Sequence, residues 1–260
     1  MNKTELPLIK IFLGTEAHKL AGQFAAEAMV WTTKSNKKTK GKQIYLNSLA
    51  IYAVKNYLKW QNYEVNFINS DFGNMILRSQ LDIADLFIDS IGKLECRYLW
   101  SEENNLVIPA EATEDRIGYV AVRLNDELNE ASLLGFYPSQ DNFTGSISID
   151  DLQSLDEFLD YLNRLELANN LFNDRNDPLV GKVREQFEDI EICDLVIQLE
   201  KIYRLEVDTE QPYAVKDVLS NKVVAIGMER EASEQEDDLE LMELAEEVVE
   251  RLTQVWSDSD

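Results

Sequence analysis

The chain has one histidine and two cysteines among 260 residues, and this scarcity excludes several kinds of catalytic site. No Ser-His-Asp or Cys-His arrangement can form without His18, and a metal centre with several histidine ligands is impossible. Cys96 and Cys193 lie far apart in apolar sequence, which is typical of small buried hydrophobic residues. We therefore expect a reducing compartment, and a histidine that packs or faces solvent on a helix.

Phosphate-binding and membrane-spanning patterns are also missing. The sequence contains no GxGxxG, GxxxxGK[ST] or DxDxDG motif. Charges interrupt even the richest apolar stretch, residues 83–100, and spanning a bilayer takes roughly 18 apolar residues. No charged and apolar leader opens the chain. These absences predict a soluble cytoplasmic protein with no cofactor and no bound metal.

The charge is strongly acidic and unevenly distributed. The 49 acidic and 25 basic residues give a formal net charge of −24, which excludes a generally basic nucleic-acid-binding surface. Residues 1–60 hold ten lysines and three acidic residues, a net of +7, so the rest of the chain carries −31. Such asymmetry favours surfaces that meet a charged partner.

Apolar residues recur at helical spacing in several stretches of the chain. They predict helices over residues 15–29 and 43–60, a helix that starts at the capping box Ser154 to Glu157, and an amphipathic helix over residues 241–256. Asp177 and Pro178 predict a further helix start. Residues 34–42 hold five lysines and no apolar residue, which predicts a solvated loop.

Strand patterns occupy the middle of the chain. Residues 83–89 and 93–100 predict one pair of strands, residues 116–124 and 131–137 predict a second, and connections this short require antiparallel neighbours. The sequence therefore predicts an α+β fold, in which an antiparallel meander of four or five strands packs against helices, with a helical C-terminal part. The predicted sheet core consists of Leu94, Cys96, Tyr119, Ala121, Leu133 and Gly135. We expect a helix that bears Tyr45, Leu49 and Tyr52 to cover it.

Several segments form a familiar ordered set: Lys42–Val54, Ile83–Leu86, Gly92–Arg97, Asp115–Val122, Leu133–Phe136 and Leu155–Leu162. Over about residues 17–165 this set resembles the cyanobacterial domain-of-unknown-function family numbered eighteen twenty-two. The resemblance implies a cyanobacterial cytoplasmic protein and favours a regulatory or adaptor role, but it implies no activity, ligand or catalytic residue. We expect residues 1–165 to form the family-like α+β domain and residues 166–260 a mainly helical acidic extension packed on it.

The main catalytic pattern is Glu95-Cys-Arg97 on a predicted strand, preceded by Asp85 and Asp89 on the strand before it. An aspartate and Glu95 could hold Mg²⁺ while Arg97 contacts a phosphate, as in nucleases that carry Asp on one strand and Glu-x-Lys on the next. The same alternation is typical of a solvated sheet face, with Lys93, Glu95 and Arg97 outside. Both explanations stay open on the sequence.

Two charged segments are candidate partner-binding surfaces. The first comprises five lysines that could contact an anionic protein or, weakly, a nucleic acid: Lys34, Lys37, Lys38, Lys40 and Lys42. The second is the acidic run from Glu229 to Glu250, which could dock on a basic protein surface and includes Glu236, Asp237 and Asp238. Solvation of a loop and of a helix face is the simpler explanation of both.

From these observations we expect a non-enzymatic protein that acts through protein contacts, as a regulatory or adaptor component whose partner has a basic surface. Two alternatives remain. One is a metal-dependent phosphodiesterase that uses Asp85, Asp89 and Glu95. The other is an acidic decoy that binds a sigma factor or another nucleic-acid-binding protein.

Overall fold

The structure, a computed structural model, describes residues 8–32, 37–113, 115–139, 145–174 and 176–186, with residues 247–248, 250–252 and 254–256 near the end of the chain. Its contacts divide the chain into a first unit, Met1–Leu159, and a second unit, Asp160–Asp260. The first unit contains every strand described below and every residue of the candidate site.

The helices confirm most of the predicted helical segments. They are α1 (Thr15–Met29), α2 (Lys37–Trp60), α3 (Met75–Gln80), α4 (Leu155–Asn173) and α5 (Pro178–Gln186). The predicted capping box is formed, because the Glu157 N–H donates to Ser154 Oγ and the Ser154 N–H donates to Glu157 Oε2. The described residues between 247 and 256 are also helical. No helix among the described residues is both long and apolar enough to cross a membrane.

Helix α2 begins at Lys37, six residues before the predicted start at residue 43, so the predicted loop is wrong for residues 37–42. Lysine is a good helix former, and a helix can expose a polar side while another side packs. Gly41 provides that packing side, since it is buried against α1 and an added Cβ would lie 3.2 Å from Met29 Sδ. A polar run therefore did not mark a loop here.

The strands form one six-stranded sheet and one separate pair. In chain order they are β1 (Ile9–Phe12), β2 (Val65–Asn66), β3 (Asp85–Ile88), β4 (Gly92–Leu99), β5 (Asn105–Val107), β6 (Gly118–Leu124), β7 (Glu130–Pro138) and β8 (Ser146–Ser148). The large sheet has the order β1-β7-β6-β4-β3-β2, and β5 pairs with β8.

The α+β class is confirmed, but the sheet is mixed rather than an antiparallel meander of four or five strands. The predicted hairpins β3–β4 and β6–β7 are antiparallel, whereas β4 and β6 pair in parallel at the centre. A parallel neighbour needs a connection of about a dozen residues or more, and the chain between β4 and β6 is long enough to include β5 and a 3₁₀ turn at Ala110–Ala112.

Both faces of β4 are covered. Leu94 pairs with Gly118 and Glu95 with Tyr119, so the predicted core set combined residues from opposite faces of the sheet. Leu94, Glu95 and Cys96 are all wholly buried, and Arg97 is nearly so. The predicted solvated face with Glu95 and Arg97 outside is therefore wrong.

Candidate functional site

Asp85 of β3 and Glu95 of β4 are cross-strand partners at the centre of the candidate site. Both side chains are wholly buried. Asp85 Oδ2 accepts a hydrogen bond from the Asp71 N–H and Oδ1 accepts one from the Phe72 N–H, each at 2.8 Å. Glu95 Oε1 accepts from the Ala84 N–H at 2.7 Å. Backbone donors from two neighbouring segments thus fix both carboxyl groups.

Arg116, which precedes β6, brings a buried positive charge to these two carboxyl groups. Its Nε donates to Glu95 Oε2 at 3.2 Å. Its Nη2 donates to Asp71 Oδ2 at 2.9 Å and lies 3.8 Å from Asp85 Oδ1. One guanidinium therefore contacts three carboxyl groups from three segments of the chain, which is the geometry that compensates for the cost of burying charge.

Arg97 and Lys93 add further ion pairs to these contacts. Arg97 Nη1 lies 2.9 Å from Asp82 Oδ1 and 3.3 Å from Glu95 Oε1. Lys93 Nζ lies 3.2 Å from Asp71 Oδ1 and 2.5 Å from Asp115 Oδ2. The resulting cluster, called here the ion-pair network, consists of Asp71, Asp85, Glu95, Arg97 and Arg116.

Burial and neighbouring charges oppose each other on the carboxyl groups. Burial raises the pKa of Glu95 to about 7, although Arg97 and Arg116 favour its ionised form. Burial likewise raises the pKa of Asp85 against the pull of Arg116. At the more accessible Asp71, Arg116 and Lys93 outweigh burial and hold the pKa below its usual value. Glu95 is therefore the network carboxyl group whose charge changes near neutral pH.

The structure brings Asp85, Glu95 and Arg97 together, as the pattern predicted, but it does not add Asp89. Asp89 is exposed in the turn after β3, four residues from Asp85, which is roughly 13 Å along an extended strand. The predicted set of three carboxylates is therefore wrong. Arg116 instead supplies the positive charge beside Asp85 and Glu95, and within the described ranges no group of three or more His, Cys, Asp or Glu residues could hold a metal ion.

Asp71 and Arg116 are the network residues that sequence reasoning missed. Asp71 lies in the loop that follows β2, outside any periodic pattern, and Arg116 begins the predicted strand 116–124, two residues before β6 starts at Gly118. The available signal was an arginine placed directly before the apolar run of β6, since a charge at the end of a buried strand needs a partner.

A cleft of about 220 Å³ adjoins the ion-pair network and shares Arg97 with it. The rings of Tyr98 and Trp100 meet edge to face in its wall, with centroids 6.0 Å apart. Lys42 Nζ lies 5.8 Å from the centroid of the Trp100 ring. The complete lining is Gln43, Asn47, Asp82, Arg97, Tyr98, Leu99, Trp100, Glu103, Asn105, Val107 and Pro109.

The candidate partner-binding residues are only partly described. Lys37, Lys38, Lys40 and Lys42 lie in the first turns of α2. Lys40 Nζ donates to the Leu81 carbonyl oxygen at 2.6 Å, and burial lowers the pKa of this lysine although Asp82 and Glu111 oppose the shift. Outside the described residues lie Lys34, Glu236, Asp237 and Asp238.

The histidine and the described cysteine have packing environments, as the sequence predicted. His18 is half-buried on α1, and its Nδ1 lies 2.5 Å from Tyr45 Oη of α2. Cys96 is wholly buried, and burial raises the pKa of its thiol well above the usual value. Cys193 lies outside the described residues.

Comparison with known proteins places the chain in a family without an assigned activity. The family described as "Protein of unknown function (DUF1822)" matches residues 11–254, which extends well beyond residue 165, the end of the resemblance expected from the sequence. No curated protein and no solved structure is significantly similar to the chain. Because the match covers most of its length, this protein belongs to the DUF1822 family of proteins of unknown function.

Proposed function

We propose that this protein acts by binding another protein, as a regulatory or adaptor component, and not as an enzyme. The observation that supports this most is the state of Asp85 and Glu95, the carboxyl groups best suited to acid–base or metal chemistry. Both are wholly buried and bound to Arg116, Arg97 and backbone donors. A catalytic carboxyl group must reach its substrate, whereas these two groups hold strands and loops together.

The surface includes exposed apolar side chains of the kind found in protein–protein interfaces. Ile68, Met75 and Ile76 lie within nine residues of one another and are 91%, 36% and 46% exposed. Their segment is held on α1, where the rings of Phe24 and Phe67 meet edge to face with centroids 5.4 Å apart. Exposed large apolar side chains on a fixed segment are typical of the buried centre of an interface.

The net charge of −24 favours a partner with a basic surface, because complementary charge speeds encounter and suppresses wrong partners. Sigma factors and other nucleic-acid-binding proteins are one class with such surfaces. Exposed contacts of this kind are screened by salt, so binding should weaken as ionic strength rises.

The test captures partners of the full-length chain by crosslinking in its native cell and then measures binding of the purified partner. The variant Ile68→Ser/Ile76→Ser should lose the partner, whereas Phe12→Ser, which changes an exposed residue on β1, should retain it. Binding that is equal in both variants would exclude this segment as the contact surface. Phosphodiester hydrolysis with Mg²⁺ or Mn²⁺ that Glu95→Gln abolishes would instead establish the phosphodiesterase alternative.

A further inference from the structure

We propose that the cleft between α2 and the end of β4 is a binding site for a ligand that joins a carboxylate to one aromatic ring, with Arg97 as its anchor. This site is separate from the exposed Ile68 and Ile76 side chains, and the inference does not depend on the proposed function.

The main evidence for this site is Arg97, because its buried guanidinium makes hydrogen bonds and ion pairs through only one of its nitrogen atoms within the described residues. Its side chain is 7% exposed, and all of its hydrogen bonds and ion pairs within the described part of the chain use Nη1. Its Nε and Nη2 have no such partner, yet they are not buried from solvent, in contrast to the buried and unpartnered Nε of Arg78. The edge formed by Nε and Nη2 presents two parallel donors, which match the two oxygens of a carboxylate.

The acidic residues of the cleft are already engaged and do not take this edge. Asp82 Oδ1 binds Arg97 Nη1 and accepts a hydrogen bond from Asn47 Nδ2 at 3.3 Å. Glu103 Oε2 accepts a hydrogen bond from the Trp100 N–H at 2.9 Å. Lys42 beside the Trp100 ring adds a second positive charge. Arg97 is thus the cationic residue of a lining that also holds Asp82 and Glu103, and Lys42 lies outside the lining beside the Trp100 ring.

The size and apolar lining of the cleft define the rest of the ligand. Its volume of about 220 Å³ is below the roughly 300–1,000 Å³ of sites for drug-sized molecules, so it suits a ligand of about one amino-acid residue. Tyr98, Trp100, Val107 and Pro109 supply ring and aliphatic surface next to Arg97. An arylacetic acid and the C-terminal aromatic residue of a peptide share this chemistry.

The experiment titrates the full-length chain with phenylacetate and, as a neutral control of the same shape, with phenylacetamide. Binding is followed by tryptophan fluorescence and by backbone amide NMR. We expect phenylacetate to bind and phenylacetamide to bind at least about tenfold more weakly, because a hydrogen-bonded charge pair contributes more than 1.4 kcal/mol. A hexapeptide ending in phenylalanine, with and without its free carboxylate, distinguishes a chain terminus from a small acid as the source.

Two variants locate the site. Arg97→Lys keeps the charge but loses the paired donors, and Trp100→Ala removes the ring without changing any member of the ion-pair network; each should weaken phenylacetate binding about tenfold or more. Lys59→Gln, an exposed change in the last turn of α2, should have no effect. If Arg97→Lys does not fold, phenylacetate binding by Trp100→Ala still decides whether the cleft is the binding site. Equal binding of phenylacetate and phenylacetamide, no binding of either, or unchanged binding by Trp100→Ala would overturn the proposal, whether or not a protein partner is found.

Discussion

Arg116 is the residue on which the candidate site depends most. Its wholly buried guanidinium contacts Asp71 and Glu95 directly and lies within 4 Å of Asp85. Two of these three carboxyl groups, Asp85 and Glu95, are also wholly buried, and Arg97 Nη1 lies 3.3 Å from Glu95 as a second guanidinium beside them. Burial raises the pKa of Glu95 to about 7, although both guanidinium groups favour its ionised form.

Glu95→Gln should remove a pH dependence of stability between about pH 4.5 and 7. In the folded protein Glu95 keeps its proton up to about pH 7, whereas the usual pKa of 4.5 applies in the unfolded chain. The folded state therefore binds more protons in this window, and its unfolding free energy falls as pH rises, by at most about 1.4 kcal/mol per pH unit. Above about pH 7 this loss is complete.

Urea denaturation at pH 5, 6, 7 and 8 checks this prediction. The unfolding free energy of the wild-type chain should fall relative to that of Glu95→Gln between pH 5 and 7 and then run parallel to it. Because Asp85 and Asp71 are present in both proteins, the pH dependence of the difference reports Glu95 together with its coupling to Asp85. A difference that is constant over the whole range would show that Glu95 titrates as an exposed carboxyl group.

Among the elements, the central strands β4 and β6 position the ion-pair network, and the side chains beside these strands are tightly packed. Gly118 starts β6 opposite Leu94, and an added Cβ there would lie 2.7 Å from Phe136 Cζ and from the Tyr137 carbonyl oxygen. The Phe136 ring in turn stacks on Phe158, with centroids 4.6 Å apart. A side chain at this position must displace a packed aromatic pair.

Gly118→Ala should therefore lower the unfolding free energy by about 1–3 kcal/mol through overpacking. The matched control is Gly22→Ala on the exposed side of α1, where an added Cβ meets nothing within 4 Å. That change should raise stability by about 0.5–1 kcal/mol, because alanine favours the helix. Thermal and urea unfolding of both variants measure the contrast, and an equal effect at the two positions would contradict the packing around β6.

Periodicity predicted those elements that have one polar and one apolar side. It gave α1, most of α2, the capping box of α4 and both hairpins, which the structure contains. It failed at β4, where Leu94, Glu95, Cys96 and Arg97 are buried in succession and alternation no longer separates inside from outside. The parallel pairing of β4 with β6 depends on contacts between distant segments, which local pattern does not encode.

At the scale of the whole molecule, the ion-pair network joins segments that are far apart in sequence. It links the loop at Asp71, strand β3 at Asp85, strand β4 at Glu95 and the entry to β6 at Arg116. From the sequence, Asp85, Glu95 and Arg97 could be predicted as a cluster, but their burial and the partners Asp71 and Arg116 could not. We propose that the network is a structural centre of this member of the DUF1822 family.

A double-mutant cycle between Glu95 and Arg116, measured as unfolding free energies at pH 8, tests this structural role. Arg116→Gln alone should cost about 3–5 kcal/mol, because it leaves buried carboxylates without their guanidinium. Adding Glu95→Gln should recover part of that loss, giving a coupling energy of about 1–3 kcal/mol between the two positions. Additive effects, with a coupling below about 0.5 kcal/mol, would show that the two side chains do not form a buried pair and would contradict the structural role assigned to the network.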